Sequence, residues 1–313
     1  METADNRLQV SIGVCAYNEE LNIGTLLEAL LTQQTQKVNI AQIIVVSSAC
    51  DDTTDQIVQS FQDVKDSRVQ LIKQSERRGK ASAINLFLRK ATGDICVLES
   101  ADTLPEEDTI ETLCNPFFDQ RVGMTGGRPV PVDDPSIFLG FVTHFVWSLH
   151  HKIACIEPKL GELVAFRNII RELPENTAVD EACVEQIIRQ AGYNIRYAPL
   201  ALVRNKGPEN LHDFLCQRRR IFNGHLQLQS QTDYQVSTMN QSRIFKLAIQ
   251  DIQRTPKGIL WATGAMVLEA YARLLGAYDF HIKKRNPYVW DIASSTKNLN
   301  IDNDRDTATD SPI

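Results

Sequence analysis

The sequence predicts an α/β protein with a mostly parallel central sheet flanked by helices, continued by a helical extension toward the C-terminal end. Three observations lead there. Short β-branched apolar runs recur over roughly the first 130 residues, as in buried parallel strands. Helical periodicity fills the intervals between them, the pattern of βαβ units. Polar and charged residues gather directly after the runs, where a parallel sheet binds its ligands.

The expected strands are VSIGVCAY (10–17), QIIVVSSA (42–49), RVQLIKQ (68–74), DICVLES (94–100) and VGMTGG (122–127). Apolar spacing marks the helices between them: Leu26, Leu27, Leu30 and Leu31; Ile57, Val58 and Phe61; Ala83, Ile84, Phe87 and Leu88; Ile110 and Leu113. Residues from about 136 to 225 read as helix-rich with one further strand, NIRYAPLALV (194–203). Gly126-Gly127-Arg128 reads as a turn rather than a phosphate loop. Residues 226–296 read as a helical extension. The stretch 297–313 is polar and acidic and is expected to be disordered.

The chain has 313 residues, 43% hydrophobic, enough for a full-sized core in one or two domains. A net charge of −6 argues against a dedicated nucleic-acid binder. Seven scattered cysteines without a C-x-x-C pair read as buried free thiols in a reducing compartment. The N-terminus METADNRLQV is unlike a signal peptide, and no apolar stretch reaches the ~18 residues of a membrane span. A cytoplasmic protein, soluble or on the membrane surface, is expected.

The motifs at the strand ends carry the chemistry. After the first strand stands Ala16-Tyr17-Asn18-Glu19-Glu20, and after the second Ser47-Ser48-Ala49-Cys50-Asp51-Asp52-Thr53. Arg78-Gly79-Lys80 through Asn85 precedes the fourth strand, and Ser100-Ala101-Asp102 follows it. Further on come Gly161 to Arg167, Val179-Asp180-Glu181, Gly192-Tyr193 and Gln217-Arg218-Arg219-Arg220-Ile221. In this order they resemble an inverting family 2 glycosyltransferase of the GT-A fold, over roughly residues 8–225. The Gln-x-x-Arg motif and the apolar helices after it resemble the subset with processive or lipid-associated members.

The resemblance implies a catalytic domain over residues 1–225, with a nucleotide-sugar half at about 8–132 and an acceptor half at about 133–225. It implies that Ala16, Tyr17, Asn18, Glu19, Ser47, Ser48 and Asp52 hold the nucleoside, with Lys80 near the diphosphate. It places a divalent metal, Mg or Mn, at Asp102, with Ser100 and Ala101 beside it. The departing diphosphate needs such a cation or basic side chains, and the acceptor hydroxyl needs a carboxylate base. That base is Glu181, with Asp180 as the substitute. Gln217 and Arg220, with Arg218 between them, are implied to grip diphosphate or acceptor, and Arg167 to lie near the donor sugar.

Five features depart from the family pattern. Cys15 stands where proline is usual, and Ser47-Ser48 replace an Asp pair that commonly reads uracil, which leaves the donor base open. The acid pair runs Asp180-Glu181 instead of Glu-Asp. Ile221 replaces the tryptophan of the acceptor platform, against a growing polysaccharide as acceptor. The Asp-x-Asp motif becomes Ser100-Ala101-Asp102. Ser100 and Asp102 point the same way along an extended segment and Glu99 the other, so Glu99 is a poor stand-in. A one-carboxylate metal site completed by phosphates and waters is expected.

Plainer readings stand beside these. Asp102-Thr103 can cap a helix before LPEED; Asp180-Glu181 can be acids at a helix N-terminus; the arginine triplet can be a solvated face. His144 and His151 share a helix face with little else and make a weak metal pair. A degenerate protein that binds nucleotide or glycan without turnover is the alternative to the enzyme, and a nucleotidyltransferase on a related sheet a weaker third. Residues 243–257 place Arg243, Lys246, Arg254 and Lys257 opposite Phe245, Ile249 and Ile252, as in an interfacial helix. With the apolar stretches 137–149 and 258–268, this suggests peripheral association with the cytoplasmic face of the membrane. A sugar, lipid-linked or polyprenyl-phosphate acceptor of a cell-envelope glycan would then be in reach.

Overall fold

The computed structural model describes residues 6–232, 247–248, 255–286, 288–289, 294–297 and 299. Alternation of strand and helix holds through the first half: β1 (Leu8–Ala16), α1 (Ile23–Leu31), β2 (Val38–Ser48), α2 (Thr54–Ser60), β3 (Val69–Gln74), α3 (Lys80–Leu88) and β4 (Ile95–Ser100). Then come β5 (Thr103–Pro105), α4 (Thr109–Cys114), β6 (Val122–Pro131), α5 (Phe138–Ile156) and β7 (Val164–Arg167). The described chain continues with α6 (Asp180–Gln190), β8 (Asn194–Asn205), α7 (Leu211–Thr232) and α8 (Pro256–Tyr278).

The sheet order is β3-β2-β1-β4-β7-β6-β8-β5. β1 pairs in parallel with both β2 and β4, and β2 with β3. The carboxyl ends of β1, β2 and β4 therefore share one edge, at Ala16, Ser48 and Ser100. β7 runs antiparallel to β4 and β6. Val10, Ile12, Val14, Ile43, Val45, Ile95 and Val97 are fully buried in the cluster beneath α1, α2 and α4. Ile44, Val46, Cys96 and Leu98 point to the other face, against Ile84 and Phe87 of α3. Both faces are covered, so the strands read as continuous apolar runs instead of alternating ones.

Two strands escape the sequence expectation. β7 and β5 have only four and three residues, too few for a periodicity to register. Gly126-Gly127-Arg128 is no turn, since it lies inside β6. Asp102-Thr103 caps no helix: Thr103 opens β5, and α4 starts only at Thr109. The boundary expected at 225 falls within the continuous helix α7. α7 is tied to α8 by Arg218, which donates to Glu269 at 2.7 and 2.9 Å, and by Arg219 paired with Asp279. α5, α7 and α8 bury Val142, Phe145, Phe214, Ala262 and Ala265 between them. Of the interfacial helix expected over 243–257, only residues 247–248 and 255–257 are described, and Pro256 and Lys257 open α8.

Candidate active site

A cavity of about 860 Å³ opens at the shared strand edge and extends under α5, α7 and α8. Ala16, Tyr17 and Glu19 line it from the loop after β1, and Ser48 from the end of β2. Ser100, Ala101 and Asp102 line it after β4, Lys80 from the start of α3, Asp180 and Glu181 from α6, and Gln217, Arg218 and Arg220 from α7. Stretches as far apart as residues 16 and 220 thus meet in one hollow.

Lys80 is its electrostatic centre. Its ammonium donates to Glu181 Oε1 at 2.8 Å and lies 3.0 Å from Asp180 Oδ2. Gly79 sets the backbone for this approach: its φ is +89°, and a Cβ there would stand 2.7 Å from the Tyr288 carbonyl oxygen. Glycine alone adopts that conformation without strain. The two acids differ in setting. Burial pushes the Asp180 carboxyl up, with the Glu181 charge adding to the effect. Burial also opposes ionisation of Glu181, but the Lys80 charge and hydrogen bond outweigh it and hold that carboxyl well below its ordinary range. Glu181 is therefore the ionised partner, and at 22% side-chain exposure against 5% the more accessible one.

The cavity floor is acidic. Burial raises Asp102, and it lifts Glu19 and Glu162 to about 7, Asp102 adding to both. Such carboxylates favour a cation or a proton beside them. Among the described residues no group of three His, Cys, Asp or Glu side chains is placed to hold a metal. Asp102, which lines the cavity, is a carboxylate that could hold a hard cation whose remaining oxygens come from phosphates and water. His144 bonds the Asp133 carbonyl at 2.8 Å and His151 the Tyr197 hydroxyl at 3.0 Å, so both serve packing.

Three non-glycine residues near this edge have left-handed backbones: Asn18 (φ 53°), Ala49 (φ 57°) and Glu162 (φ 61°). Each costs on the order of 1–3 kcal/mol, a kind of strain that clusters at functional sites.

A model of glycosyl transferase family 2 matches residues 11–173, more than half of the chain. The chain belongs to glycosyl transferase family 2. It is 24% identical over 226 residues to a poly-beta-1,6-N-acetyl-D-glucosamine synthase of Staphylococcus aureus, a match covering 67% of this chain and 53% of the relative. It is 26% identical over 235 residues to the probable glycosyltransferase YdaM of Bacillus subtilis, covering 69% and 55%. The chain thus spans about half the length of the curated relatives it matches. Among solved structures, the mannosyltransferase PcManGT of Pyrobaculum calidifontis, in complex with GDP-Man and Mn2+, aligns at a TM-score of 0.58 and 23% identity. That alignment covers 94% of this chain and 84% of the other, and it supports the GT-A fold.

Several residues singled out from the family 2 motifs sit elsewhere than expected. Arg167 pairs with Ile95, at the opposite end of β4 from Ser100, because β7 runs antiparallel. Its guanidinium donates to the carbonyls of Val122 (2.8 Å), Phe117 (3.0 Å) and Asp119 (3.3 Å). It ties β7 to the turn before β6 and is not among the residues that line the cavity. Arg167→Ala is therefore expected to lower the urea midpoint by an amount equivalent to about 1–3 kcal/mol while leaving KM for the donor unchanged. A raised KM at unchanged stability would restore Arg167 to the site.

Asn18, Ser47 and Asp52 do not line the cavity. Asp51 N donates to Asn18 Oδ1 at 3.0 Å, and Asp52 accepts from Thr54 N and Glu20 N at 2.9 and 3.1 Å. These polar groups lock the two family 2 loops to each other; Ser47 is buried at 1% exposure. Arg218 lines the cavity but spends its fork on Glu269. Gln217 and Arg220, three apart, share the face of α7 that looks toward the acids. The Asp180, Glu181, Glu162 and Asp102 charges all act on the buried Arg220 guanidinium.

Sequence reasoning missed three contributors. Glu162 lay within a quoted family 2 motif without being picked out; nothing in its own spacing marked it. Arg77 stacks on Tyr17, its guanidinium carbon 4.4 Å from the ring centroid. Lys297, assigned to a disordered tail, instead donates to Glu19 Oε1 at 2.9 Å and to the carbonyls of Asn18 (2.8 Å) and Tyr17. Leu299 follows it into the protein at 8% exposure, its N–H donating to Asn22. A polar composition concealed one specific docking segment.

Glu99 is indeed no substitute for the missing acid. Its carboxyl accepts from Thr103 Oγ1, its other oxygen has no partner among the described residues, and burial pushes it up to about 8. Between the ordinary value of 4.5 and about 8 the folded state keeps a proton that the unfolded chain loses. Glu99 therefore makes stability fall as pH rises through that window, levelling above it. Glu99→Gln is expected to raise the urea midpoint near pH 8.5 by an amount equivalent to about 1–3 kcal/mol and to change it little near pH 4.5. Equal shifts at both pH values would show that Glu99 is ionised in the folded protein.

Proposed function

We propose that this family 2 enzyme transfers a sugar, with inversion, from a nucleoside-diphosphate sugar to an acceptor hydroxyl, Glu181 acting as base. The observation that carries this reading is the Lys80–Asp180–Glu181 cluster facing Asp102 across one cavity. Asp102 would hold a divalent cation, Mg or Mn, which neutralises charge on the departing diphosphate. Tyr17, Glu19 and Ser48 would enclose the nucleoside, with Ser100 near the ribose; Gln217 and Arg220 would meet diphosphate or acceptor.

The ion pair gives Lys80 two states. Without donor it neutralises the carboxylates and keeps Glu181 a weak base. A bound diphosphate competes for the ammonium, and as Lys80 turns toward it the Glu181 carboxyl rises and becomes a better proton acceptor. Glu181 then takes the acceptor's hydroxyl proton while the oxygen attacks the anomeric carbon in line with the leaving diphosphate. Donor binding thus primes the base.

The reading includes a peripheral position on a membrane. No described helix is long and apolar enough to cross one. α8 and the turn after it expose Leu260 (69%), Val267 (62%), Leu274 (69%) and Ile282 (66%), a stripe suited to a lipid surface. Incubating the protein with a panel of UDP- and GDP-sugars, Mg2+ or Mn2+ and a membrane lipid extract tests the reading. The expected products are a nucleoside diphosphate and a glycoside of inverted anomeric configuration, identified by mass spectrometry and NMR. Nucleotide binding without turnover for every donor would make the protein a binder instead.

A further inference from the structure

The cavity runs from the strand edge to residues of α5, α7 and α8 that the proposed transfer does not use, and there the charge balance is left open. There α5 and the loop after it bring His150 and Lys159, α7 brings Arg218 and His225, and α8 brings Glu269 and Arg273. Glu269 takes both arginines, at 2.7 and 2.9 Å from Arg218 and 2.8 Å from Arg273. The other carboxylate acting on Lys159, Glu185, accepts from Arg189 at 3.1 and 3.2 Å. Lys159 itself makes no hydrogen bond or ion pair among the described residues. Beside it, His150 Nδ1 and His225 Nδ1 are buried without a partner, His150 at 7% exposure.

We propose that Lys159, His150 and His225 form an anion subsite that receives a phosphate group carried by the acceptor. Three separated donor groups around one space suit a tetrahedral anion, whose several oxygens accept from different directions. A neutral glycan would leave the ammonium uncompensated, and a metal cation would meet Lys159, Arg218 and Arg273 of its own sign. Burial, then Arg218 and Arg273, bring the Lys159 ammonium down to about 8. Burial holds His225 near 3, with Lys159 adding to the effect. The imidazoles therefore serve as neutral N–H donors, and Lys159 is the group that gains from an arriving anion. The Glu181 charge reaches His225, which puts the subsite on the base's side of the cavity. The phosphate is a handle and not the nucleophile: it holds the acceptor while a separate hydroxyl meets Glu181. Val146, Trp147 and Ile153 of α5 add an apolar wall to the same cavity, so the phosphate can come from a soluble phosphorylated alcohol or from a lipid headgroup.

This inference rests on the proposed transfer to a hydroxyl, and its test is separable from that reading. Calorimetry on the full chain, with Mg2+, UDP and GDP saturating, would compare glycerol 3-phosphate, its short-chain monoacyl ester (a lysophosphatidic acid) and glycerol. Both phosphates are expected to bind and glycerol not. Lys159→Met should weaken phosphate binding at least tenfold and Lys159→Arg less than about threefold, with circular dichroism melts confirming that each variant folds. Tighter binding of the acyl ester would assign a lipid headgroup, and equal affinity a soluble acceptor; either supports the subsite. Absence of phosphate binding to the wild type, binding lost on nucleotide loading, or unchanged affinity in folded Lys159→Met would overturn it. Wild-type protein that binds phosphate but releases no nucleoside diphosphate from any sugar nucleotide would sink the transferase reading alone.

Discussion

Glu181→Gln is expected to slow sugar transfer by about 10²- to 10⁴-fold, the usual contribution of a positioned base. The amide is close in size and its oxygen can still accept the Lys80 hydrogen bond, found at 2.8 Å in the wild type. Affinity for the nucleoside diphosphate should hold or tighten, because the neutral amide competes less for Lys80, and the loss should fall on kcat. Asp180→Asn provides the contrast. Asp180 is the buried member of the pair, raised by burial and by the Glu181 charge, so its replacement should cost mainly through the position of Lys80. A greater loss of kcat in Asp180→Asn than in Glu181→Gln would move the base to Asp180.

Asp102→Asn should abolish the coupling between metal and donor. A cation at the diphosphate supplies several kcal/mol to the transition state, so transfer should fall at least about 100-fold. With one carboxylate available, metal should bind the free wild-type protein weakly and much better with nucleoside diphosphate present. Calorimetry with Mn2+, alone and with each nucleotide, reads both quantities. Tight metal binding to the free protein, or nucleotide affinity in Asp102→Asn still raised by Mn2+, would rule out the one-carboxylate site.

Much of this was legible in the residues. The apolar runs of β1, β2 and β4 mark a buried parallel sheet because both of its faces are covered, and the motifs after them are where such a sheet places its ligands. Lys80, Asp102, the Asp180–Glu181 pair and the Gln217/Arg220 spacing could be picked out before any contact was known. Composition misled at Lys297, since one ordered lysine in a polar tail changes no average.

The sequence by itself determined the fold class, the family and the side chains available at the strand ends, because periodicity and short motifs are local properties of the chain. Only the tertiary structure decided what each side chain faces. Arg167 became a strut because β7 runs antiparallel, a pairing that four residues cannot announce. Arg218 was taken out of the site by Glu269, 51 residues away, while Arg220, two positions on, points among the acids. Lys159 acquired meaning only when neighbouring helices spent their own carboxylates elsewhere. Charge pairing and burial are set by distance in space, and separation along the chain carries no record of it.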